Sequence, residues 1–432
     1  MNGIWLLTTD TLLLHDSMKE FEVLTLNNGI RVVHKHVTTT KIAHCGIVLD
    51  VGSRDEQPDQ FGIAHFWEHM AFKGTKSRKA HHIINSIDSV GGELNAYTTK
   101  EKIYFYTSVL DRFVDKAFDI LSDITFHSIF PEKQIERERQ IILEEMAMYN
   151  DTPEDAIQDD FDDQVFASHP LGHNILGTGP TIKSFSKEHF LGFINKSIDT
   201  SRIVVAFVGN IPFKRVVKLA EKYLGDIQAH TRDQRNSDVF DYRPSQKAIE
   251  KPISQAHVGL GVPAYPLADP KRVPFSMLTN LLGGPSMNTR LNMTLREKMA
   301  CVYAIDAHYA AYTDTGLFTV FYGTEKRNLN KSKNAVIREL ELLKNKKLGT
   351  VQLHKLKEQM MGQLAMAEEH YSGLMLAMAK SLLDLDTIQS LDEVFCEIEA
   401  VSATELQEVS NEVFQKDQIS SLTFIPKENG VY

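Results

Sequence analysis

The chain has 432 residues, too many for one hydrophobic core of ordinary size, so its length predicts about two to four domains. Hydrophobic residues make up 42% and charged residues 24%, as in soluble globular proteins, and no stretch approaches the roughly 18 consecutive apolar residues that span a bilayer. The net charge of −10 argues against nucleic acid as a partner, and we expect no membrane partner.

The first 17 residues do not have the composition of a targeting segment. They contain no lysine or arginine, and Asp10 and Asp16 flank their apolar run, whereas secretory and mitochondrial leaders begin with positive charge. The three cysteines are scattered and have no C-x-x-C spacing, which predicts reduced thiols in a reducing compartment. We therefore expect residues 1–17 to be an extension before a natural start at Met18, and the protein to be cytoplasmic.

Residues 18–228 alternate between strand and helix patterns. The Asn27-Asn28-Gly29 turn between FEVLTL and IRVVHKHV predicts a hairpin, and KIAHCGIVLDVGS predicts a buried strand. A strand pattern at 201–211 leads into an amphipathic helix that ends at Gly225. Helical periods occur at 61–73, 80–90, 109–126 and from Pro131 to about Tyr149.

The second part of the chain repeats patterns of the first. Residues 229–254 are polar and contain proline, which predicts a linker. After it, AHVGLGVPAYPLAD echoes AHCGIVLDVGSRDE at an offset of 213 residues, and FYGTEKRNLNKSKNAVIREL echoes FYTSVLDRFVDKAFDIL at 216. The nearly equal offsets indicate a duplication, with the second copy at 255–432. We predict an α+β protein of two homologous α/β halves, each a mixed or antiparallel sheet flanked by helices, that form a clamshell.

One motif, H-x-x-E-H, lies in FGIAHFWEHMAFKGT at residues 61–75. On a helix, His65 and His69 share one face and can hold one cation, and Glu68 lies beside that face, where it reaches a metal-bound water without being a ligand. The order mirrors that of the H-E-x-x-H zinc helix. The alternative is a chance pattern, but two buried histidines beside a carboxylate are costly without a shared partner.

A catalytic zinc needs a third protein ligand. In the predicted helix at 131–149, Glu138 and Glu145 are seven residues apart and share a face. Spacing alone does not choose Glu145 over Glu144. A second pair, His169 and His173, is interrupted by proline and glycine, so we predict a loop there and not a metal helix.

Several segments together resemble the pitrilysin, insulinase and mitochondrial processing peptidase family. HFWEHMAFKGT matches its H-F-x-E-H-M-x-F-x-G-T, and GGELNAYTTKEKIYFY resembles its G-G-x-x-N-A-x-T-x-x-E segment. HPLGHNILG resembles another block, and LREKMACVY follows its L-R-x-K-x-x-x-x-Y. The resemblance covers residues 20 to 430 and is strongest to bacterial members similar to the processing peptidase.

This resemblance implies roles for individual residues. The family takes its third zinc ligand 76 residues after the second histidine, which is Glu145 here, and supports the site with a glutamate seven residues earlier, Glu138. In the second half, the sequence alone favours a charge on a helix surface for Arg296. The resemblance instead implies that Arg296 and Tyr303 reach across to the zinc half and hydrogen-bond the carbonyl oxygen of the substrate. The strand at Asn95 and Ala96 would pair with an extended substrate.

The resulting expectation is a zinc-dependent endopeptidase with one Zn²⁺ per chain. Its ligands would be His65, His69 and Glu145, with Glu68 as the general base. The substrates would be peptides or unfolded polypeptide segments, enclosed between the two halves. The alternative is a non-catalytic core or assembly subunit of the same family, but such subunits have a broken zinc motif and this one is intact. Because one chain holds both sets of residues, we expect it to work as a single chain or a homodimer.

Overall fold

The computed structural model describes residues 20–167, 169–232, 235 and 240–427. The predicted extension at 1–17 lies outside these residues. Within the part of the chain that is described, no helix is both long enough and apolar enough to cross a membrane.

Six strands form the first sheet, in the order β1-β2-β6-β3-β5-β4. Only the neighbours β2 and β6 run parallel; all other pairs are antiparallel. The predicted hairpin between β1 and β2 is present, and the apolar run of β3 lies in the sheet interior between β6 and β5. The strands are β1 (Glu22–Thr25), β2 (Arg31–His36), β3 (Ile42–Leu49), β4 (Glu93–Thr98), β5 (Ile103–Leu110) and β6 (Ile203–Gly209).

Eight α-helices fall within the described residues of the first half of the sequence. The predicted helix at 109–126 is shorter than expected, because β5 continues to Leu110 through aromatic and β-branched residues that pair with β3. The helices are α1 (Ile63–Ala71), α2 (Ala80–Asp88), α3 (Val114–Phe126), α4 (Glu132–Asp151), α5 (Pro153–Val165), α6 (Gly179–Ser184), α7 (Lys187–Ser197) and α8 (Phe213–Leu224).

A second sheet repeats the topology of the first. Its order, β7-β11-β8-β10-β9, matches β2-β6-β3-β5-β4, and again only the first two neighbours are parallel. The α+β class and the duplication are therefore confirmed. The strands are β7 (Gln246–Lys251), β8 (Ala256–Ala264), β9 (Val302–Ala311), β10 (Gly316–Thr324) and β11 (Ser420–Pro426). The helices are α9 (Arg272–Gly283), α10 (Leu329–Asn345), α11 (Thr350–Glu368), α12 (Tyr371–Leu385), α13 (Leu391–Ala400) and α14 (Ala403–Val413), with a π-helix at Asn292–Lys298.

The predicted linker at 229–254 contains the strand β7, so that prediction was wrong for its C-terminal part. β7 reads QKAIEK and pairs with β11 at one edge of the sheet. An edge strand exposed to water carries polar residues, which is why its sequence has the composition of a linker. Since β7 takes the place of β2, the second copy of the fold begins at Gln246 and not at residue 255.

The chain forms two compact units that exchange segments. The first comprises the described residues within Met1–Gln140, Ile175–Gln234 and Ala365–Val394; the second, those within Ile141–Asn174, Arg235–Leu364 and Phe395–Tyr432. The helix α12 therefore belongs with the first sheet and α5 with the second. These bounds differ from the contiguous halves at 18–228 and 255–432 that the sequence predicted.

Each exchanged helix contributes to the core of the unit that receives it. In the first unit, Met375, Met378 and Leu382 of α12 pack with Val48 and Val204 of the central strands. The core of the second unit combines residues of α5 with residues of β10 and β11: Ala156, Ile157, Phe161, Val165, Leu317, Leu422 and Phe424. Burial of the larger apolar side chains among these, worth about 1.5–3 kcal/mol each, holds each helix on its sheet.

Glycines on the central strands of both copies give the exchanged helices room. A Cβ atom on Gly46 of β3 would lie 2.7 Å from the Sδ of Met375 in α12. On Gly261 of β8, it would lie 2.7 Å from the ring of Phe161 in α5 and 2.5 Å from the Phe318 carbonyl oxygen. Both contacts are shorter than van der Waals distance, so the helices sit as close as they do because side chains are missing there.

Candidate metal centre

The aromatic residues around the histidine motif anchor helix α1 in the core. Phe66, Trp67 and Met70 are fully buried. The Phe66 ring meets that of Phe190 edge-on, with 5.1 Å between the ring centroids, and Trp67 packs near Phe105. Their burial fixes the rotation of the helix, so that the two histidines present their rings together.

The start of α1 is fixed by a buried carboxylate. Gly62 precedes the helix with φ at +96°, a conformation that favours glycine. The N–H groups of Gly62 and Ala64 donate to the two oxygens of Glu56, each at 2.8 Å. A carboxylate at this position satisfies backbone donors of the first turn and complements the helix dipole.

The structure brings the three predicted zinc ligands together. The rings of His65 and His69 lie with centroids 4.6 Å apart, at 62° to each other. One possible ligand atom from each of His65, His69 and Glu145 lies within 4.8 Å of the other two. Two imidazoles and one carboxylate are a donor set of catalytic zinc sites. Among the described residues, this is the only group of three or more histidine, cysteine, aspartate or glutamate side chains that meets that spacing.

Burial keeps His65 in the form that binds metal. Removal from water, followed by the repulsion of a charged His69, lowers the pKa of His65 to about 3. Its imidazole is therefore neutral at neutral pH. A neutral ring has a lone pair for a cation, whereas a protonated one does not.

Glu138 supports His69 from the neighbouring helix α4. Its Oε2 lies 3.4 Å from His69 Nδ1, and its Oε1 forms a 2.9 Å ion pair with Lys73 Nζ. Burial raises the pKa of Glu138, but the hydrogen bonds from His69 and Lys73 outweigh it, so the pKa is lowered overall. A carboxylate on Nδ1 directs the other ring nitrogen, Nε2, towards a metal.

Helix α4 also settles which of the two adjacent glutamates reaches the histidines. It is one continuous helix, so Glu145 lies two turns beyond Glu138 on the same face. Glu144 points elsewhere and is exposed, while Glu145 is half-buried. The alternative that spacing left open is thus decided geometrically in favour of Glu145.

Glu68 is not among the clustered ligands. Its Oε2 accepts a 2.8 Å hydrogen bond from the Thr98 hydroxyl, at the end of β4. The contact joins the acid of the motif to the strand that was predicted to bind substrate. This hydrogen bond restrains the Glu68 carboxylate, which is not part of the group formed by His65, His69 and Glu145.

Strand β4 lies at the edge of the first sheet. It pairs with β5 on one side, and no described strand pairs with its other side. Ala96 lies on the same face as Thr98, which contacts α1, whereas Asn95 is exposed on the opposite face beside Tyr97. The backbone of the segment at Asn95 and Ala96 is thus at a free edge, although the two side chains point in opposite directions.

Arg296 and Tyr303 lie in the second unit. Arg296 is in the π-helix, its guanidinium carbon 5.8 Å from the centre of the Tyr303 ring, and Tyr303 is 86% exposed at the start of β9. π-Helical turns are uncommon and concentrate at functional sites. Their action on a substrate stays a prediction.

The other histidine pair has the loop structure that its sequence predicted. His169 and His173 lie between α5 and α6, outside any helix. His169 Nδ1 accepts the N–H of Leu171 at 3.2 Å, a local turn contact.

Three residues around the centre were missed from sequence. The sequence could have indicated Lys73, because this residue lies four positions after His69 and can share its helix face. Glu56 is an acidic residue shortly before the start of a helix. Acidic residues are common at such positions, so the pattern does not single out Glu56. Thr98 has no signal within its own segment, since its partner is 30 residues away.

The family assignment follows from two sequence comparisons over most of the chain. The sequence model described as "Insulinase (Peptidase family M16)" matches residues 31–179, and "Peptidase M16 inactive domain" matches residues 184–360. The chain belongs to peptidase family M16. The first match includes the H-x-x-E-H motif, Glu138 and Glu145; the second covers Arg296 and Tyr303 but no H-x-x-E-H.

Relatives in family M16 resemble the chain over nearly its full length. "Uncharacterized zinc protease YmxG" of Bacillus subtilis is 31% identical over 92% of this chain and 97% of its own. "Probable mitochondrial-processing peptidase subunit beta" of Arabidopsis thaliana is 29% identical over 93% of this chain and 78% of its own. The crystal structure of a protease from Helicobacter pylori has the same fold, with a TM-score of 0.85 at 21% identity, over 94% of this chain and 99% of that one. The predicted family and the two-sheet fold are confirmed.

Proposed function

We propose that this M16 protein is a zinc-dependent endopeptidase that hydrolyses peptides or unfolded polypeptide segments. The observation that carries the proposal is the convergence of His65, His69 and Glu145, with Glu68 beside them and outside the ligand set. Relatives named zinc proteases agree with the metal and with the peptidase class.

The residues fit one zinc ion per chain. His65 is neutral, His69 is oriented through Nδ1 by Glu138, and Glu145 supplies a negative charge. Three protein ligands leave a position for water or substrate, as catalytic zinc requires. Zinc bound there would acidify a water molecule and polarise the peptide carbonyl.

The chain's own groups then move the proton. Glu68, held by the Thr98 hydroxyl, takes a proton from the attacking water and delivers it to the amine that leaves. We propose that Arg296 and Tyr303 hydrogen-bond the carbonyl oxygen as it becomes negative, an action supported by the family motif. The free edge of β4 would pair with the substrate backbone, which explains a preference for extended chains.

The second candidate is a non-catalytic core or assembly subunit. The intact H-x-x-E-H motif and its third ligand argue against it, because a structural subunit has no need for a metal-binding donor set. We propose further that no different partner chain is required and that the protein acts as a single chain or a homodimer, without nucleic acid or membrane partners.

The decisive experiment combines metal analysis with turnover of a quenched peptide library. The purified protein should contain close to one zinc per chain, and chelation should abolish cleavage until zinc is restored. Glu68→Gln should retain zinc while turnover falls by about 10²–10⁴. If the metal-loaded protein cleaves no peptide, or if Glu68→Gln is fully active, the proposed function is wrong.

A further inference from the structure

A cavity lies in the second unit, away in sequence from every residue of the metal motif. Its volume is about 200 Å³. The walls come from the last turn of α9, from the segment between α9 and the π-helix, and from α11 with Leu348 two residues before it. Pockets for drug-sized ligands measure about 300–1,000 Å³, so an occupant of this cavity would be small.

The cavity is lined by hydrogen-bond donors and has no acidic wall. Arg290 and Lys355 supply two cations, and no aspartate or glutamate is among its described lining residues. Gln359 accepts from Asn288 through its carbonyl oxygen at 3.1 Å, which leaves its amide N–H groups as the donors available to the cavity. In a chain with a net charge of −10, this local excess of positive charge is unusual.

Arg290 carries most of the argument. It is half-buried, and removal from water lowers the pKa of its guanidinium, which Glu339 only partly offsets. Among the described residues, none accepts a hydrogen bond from it, and no carboxylate lies within ion-pair distance; Glu339 instead accepts from Thr294 at 2.8 Å. A partly desolvated guanidinium that donates to no described protein group presents its donors to a bound anion, which can accept two of them at once.

We propose that this cavity is a binding site for a small oxyanion, either phosphate or a carboxylate. The planar guanidinium matches two oxygens of such an anion, and Lys355 adds a point charge that fits either. The leucines of the cavity, Leu281, Leu348 and Leu356, make part of its wall apolar, which strengthens the interaction of an anion with the half-buried guanidinium. This site is separate from the proposed peptidase activity and does not depend on it.

The test is calorimetric titration of the full-length, metal-free protein with inorganic phosphate and, separately, with acetate, with sodium chloride holding ionic strength constant. Saturable 1:1 binding of either anion supports the site and shows whether it takes phosphate or a carboxylate. Arg290→Gln and Lys355→Met should each weaken binding at least tenfold. Since loss of Arg290 could impair folding, Lys355→Met, at an exposed position, keeps the test decisive.

Lys357→Met is the matched control. This lysine lies on the same helix, but donates to the Glu399 carbonyl and does not line the cavity. It should bind the anion as the parent does. The proposal is overturned if neither anion binds, if binding persists in Lys355→Met or in Arg290→Gln, or if Lys357→Met weakens it equally.

Discussion

His69 shows how single side chains divide the tasks at the candidate metal centre. Nδ1 of its ring faces Glu138, which forms an ion pair with Lys73, and a carboxylate on Nδ1 directs Nε2 towards a metal. Burial lowers the pKa of His65 to about 3 and so keeps its imidazole neutral. Burial thus sets the protonation of His65, whereas a hydrogen-bonded carboxylate orients the ring of His69.

The ligand assignment is tested by the adjacent glutamates. Glu145→Gln should remove most of the zinc, because it replaces an anionic donor of the cluster with a neutral amide. Glu144→Gln, the matched control at an exposed position on the same helix, should keep it. Zinc content by atomic emission, after dialysis against a weak chelator, measures both. The reverse pattern would show that the wrong glutamate has been assigned.

The hydrogen bond from Thr98 predicts a positioning role. Thr98→Val keeps the shape of the side chain but removes the donor to Glu68, so turnover should fall by about tenfold to a hundredfold. KM and zinc content should change little, since neither depends on that hydroxyl. Thr98→Ser, which restores a donor, should recover most of the turnover. Equal activity of the valine and serine variants would remove Thr98 from the mechanism.

At the scale of elements, glycines on the strands determine how closely a helix can pack against its sheet. The residues of β3 and β8 that face α12 and α5 include glycines in both copies of the fold. The atoms beside the two glycines differ in how easily they can move. Beside Gly46 lies the flexible Met375 side chain, whereas beside Gly261 lie a backbone carbonyl and a Phe161 ring.

This difference predicts the order of two alanine substitutions. Gly261→Ala should lower the free energy of unfolding by about 1–3 kcal/mol, the usual cost of overpacking, and Gly46→Ala by less. Gly362→Ala is the control, because it lies inside α11 with nothing within 4 Å of its added methyl group. It should stabilise the protein by up to about 1 kcal/mol. Urea denaturation of the three variants measures the order, and a Gly261→Ala protein as stable as the parent would contradict it.

At the scale of the whole molecule, the duplication separates the residues of the proposed reaction. The histidine motif follows β3 in the first copy, and the arginine and tyrosine precede or begin β9 in the second. Only the first copy has the H-x-x-E-H motif. The prediction that both copies contribute to one reaction is therefore open to a kinetic test.

Tyr303→Phe removes one phenolic donor and leaves the ring. If Tyr303 acts on the developing oxyanion, turnover should fall by about 10²–10³ while zinc content stays unchanged. Its 86% exposure means that a purely structural role would cost little stability. Steady-state kinetics on a peptide, with metal analysis of the same sample, measures both. Normal turnover in Tyr303→Phe and in Arg296→Ala would show that the first copy works alone.

The sequence by itself determined the family, the α+β class, the duplication and the cluster of candidate ligands. Each is encoded locally: a motif of five residues on one helix turn, two glutamates two turns apart, and matching strand patterns at nearly equal offsets. The choice of Glu145 over Glu144 came in sequence only from resemblance, and the structure gives it a geometric basis through burial on α4.

Only the tertiary structure decided which sheet receives which helix. The apolar residues of α12 predict a buried helix, but hydrophobic burial has no direction and fits either sheet. The same holds for β7, whose polar sequence becomes a strand only because β11 offers it backbone partners. Contacts such as that of Thr98 with Glu68, and of Lys73 with Glu138, likewise join segments far apart in the chain. Such pairings arise from the folded backbone, so local sequence patterns do not contain them.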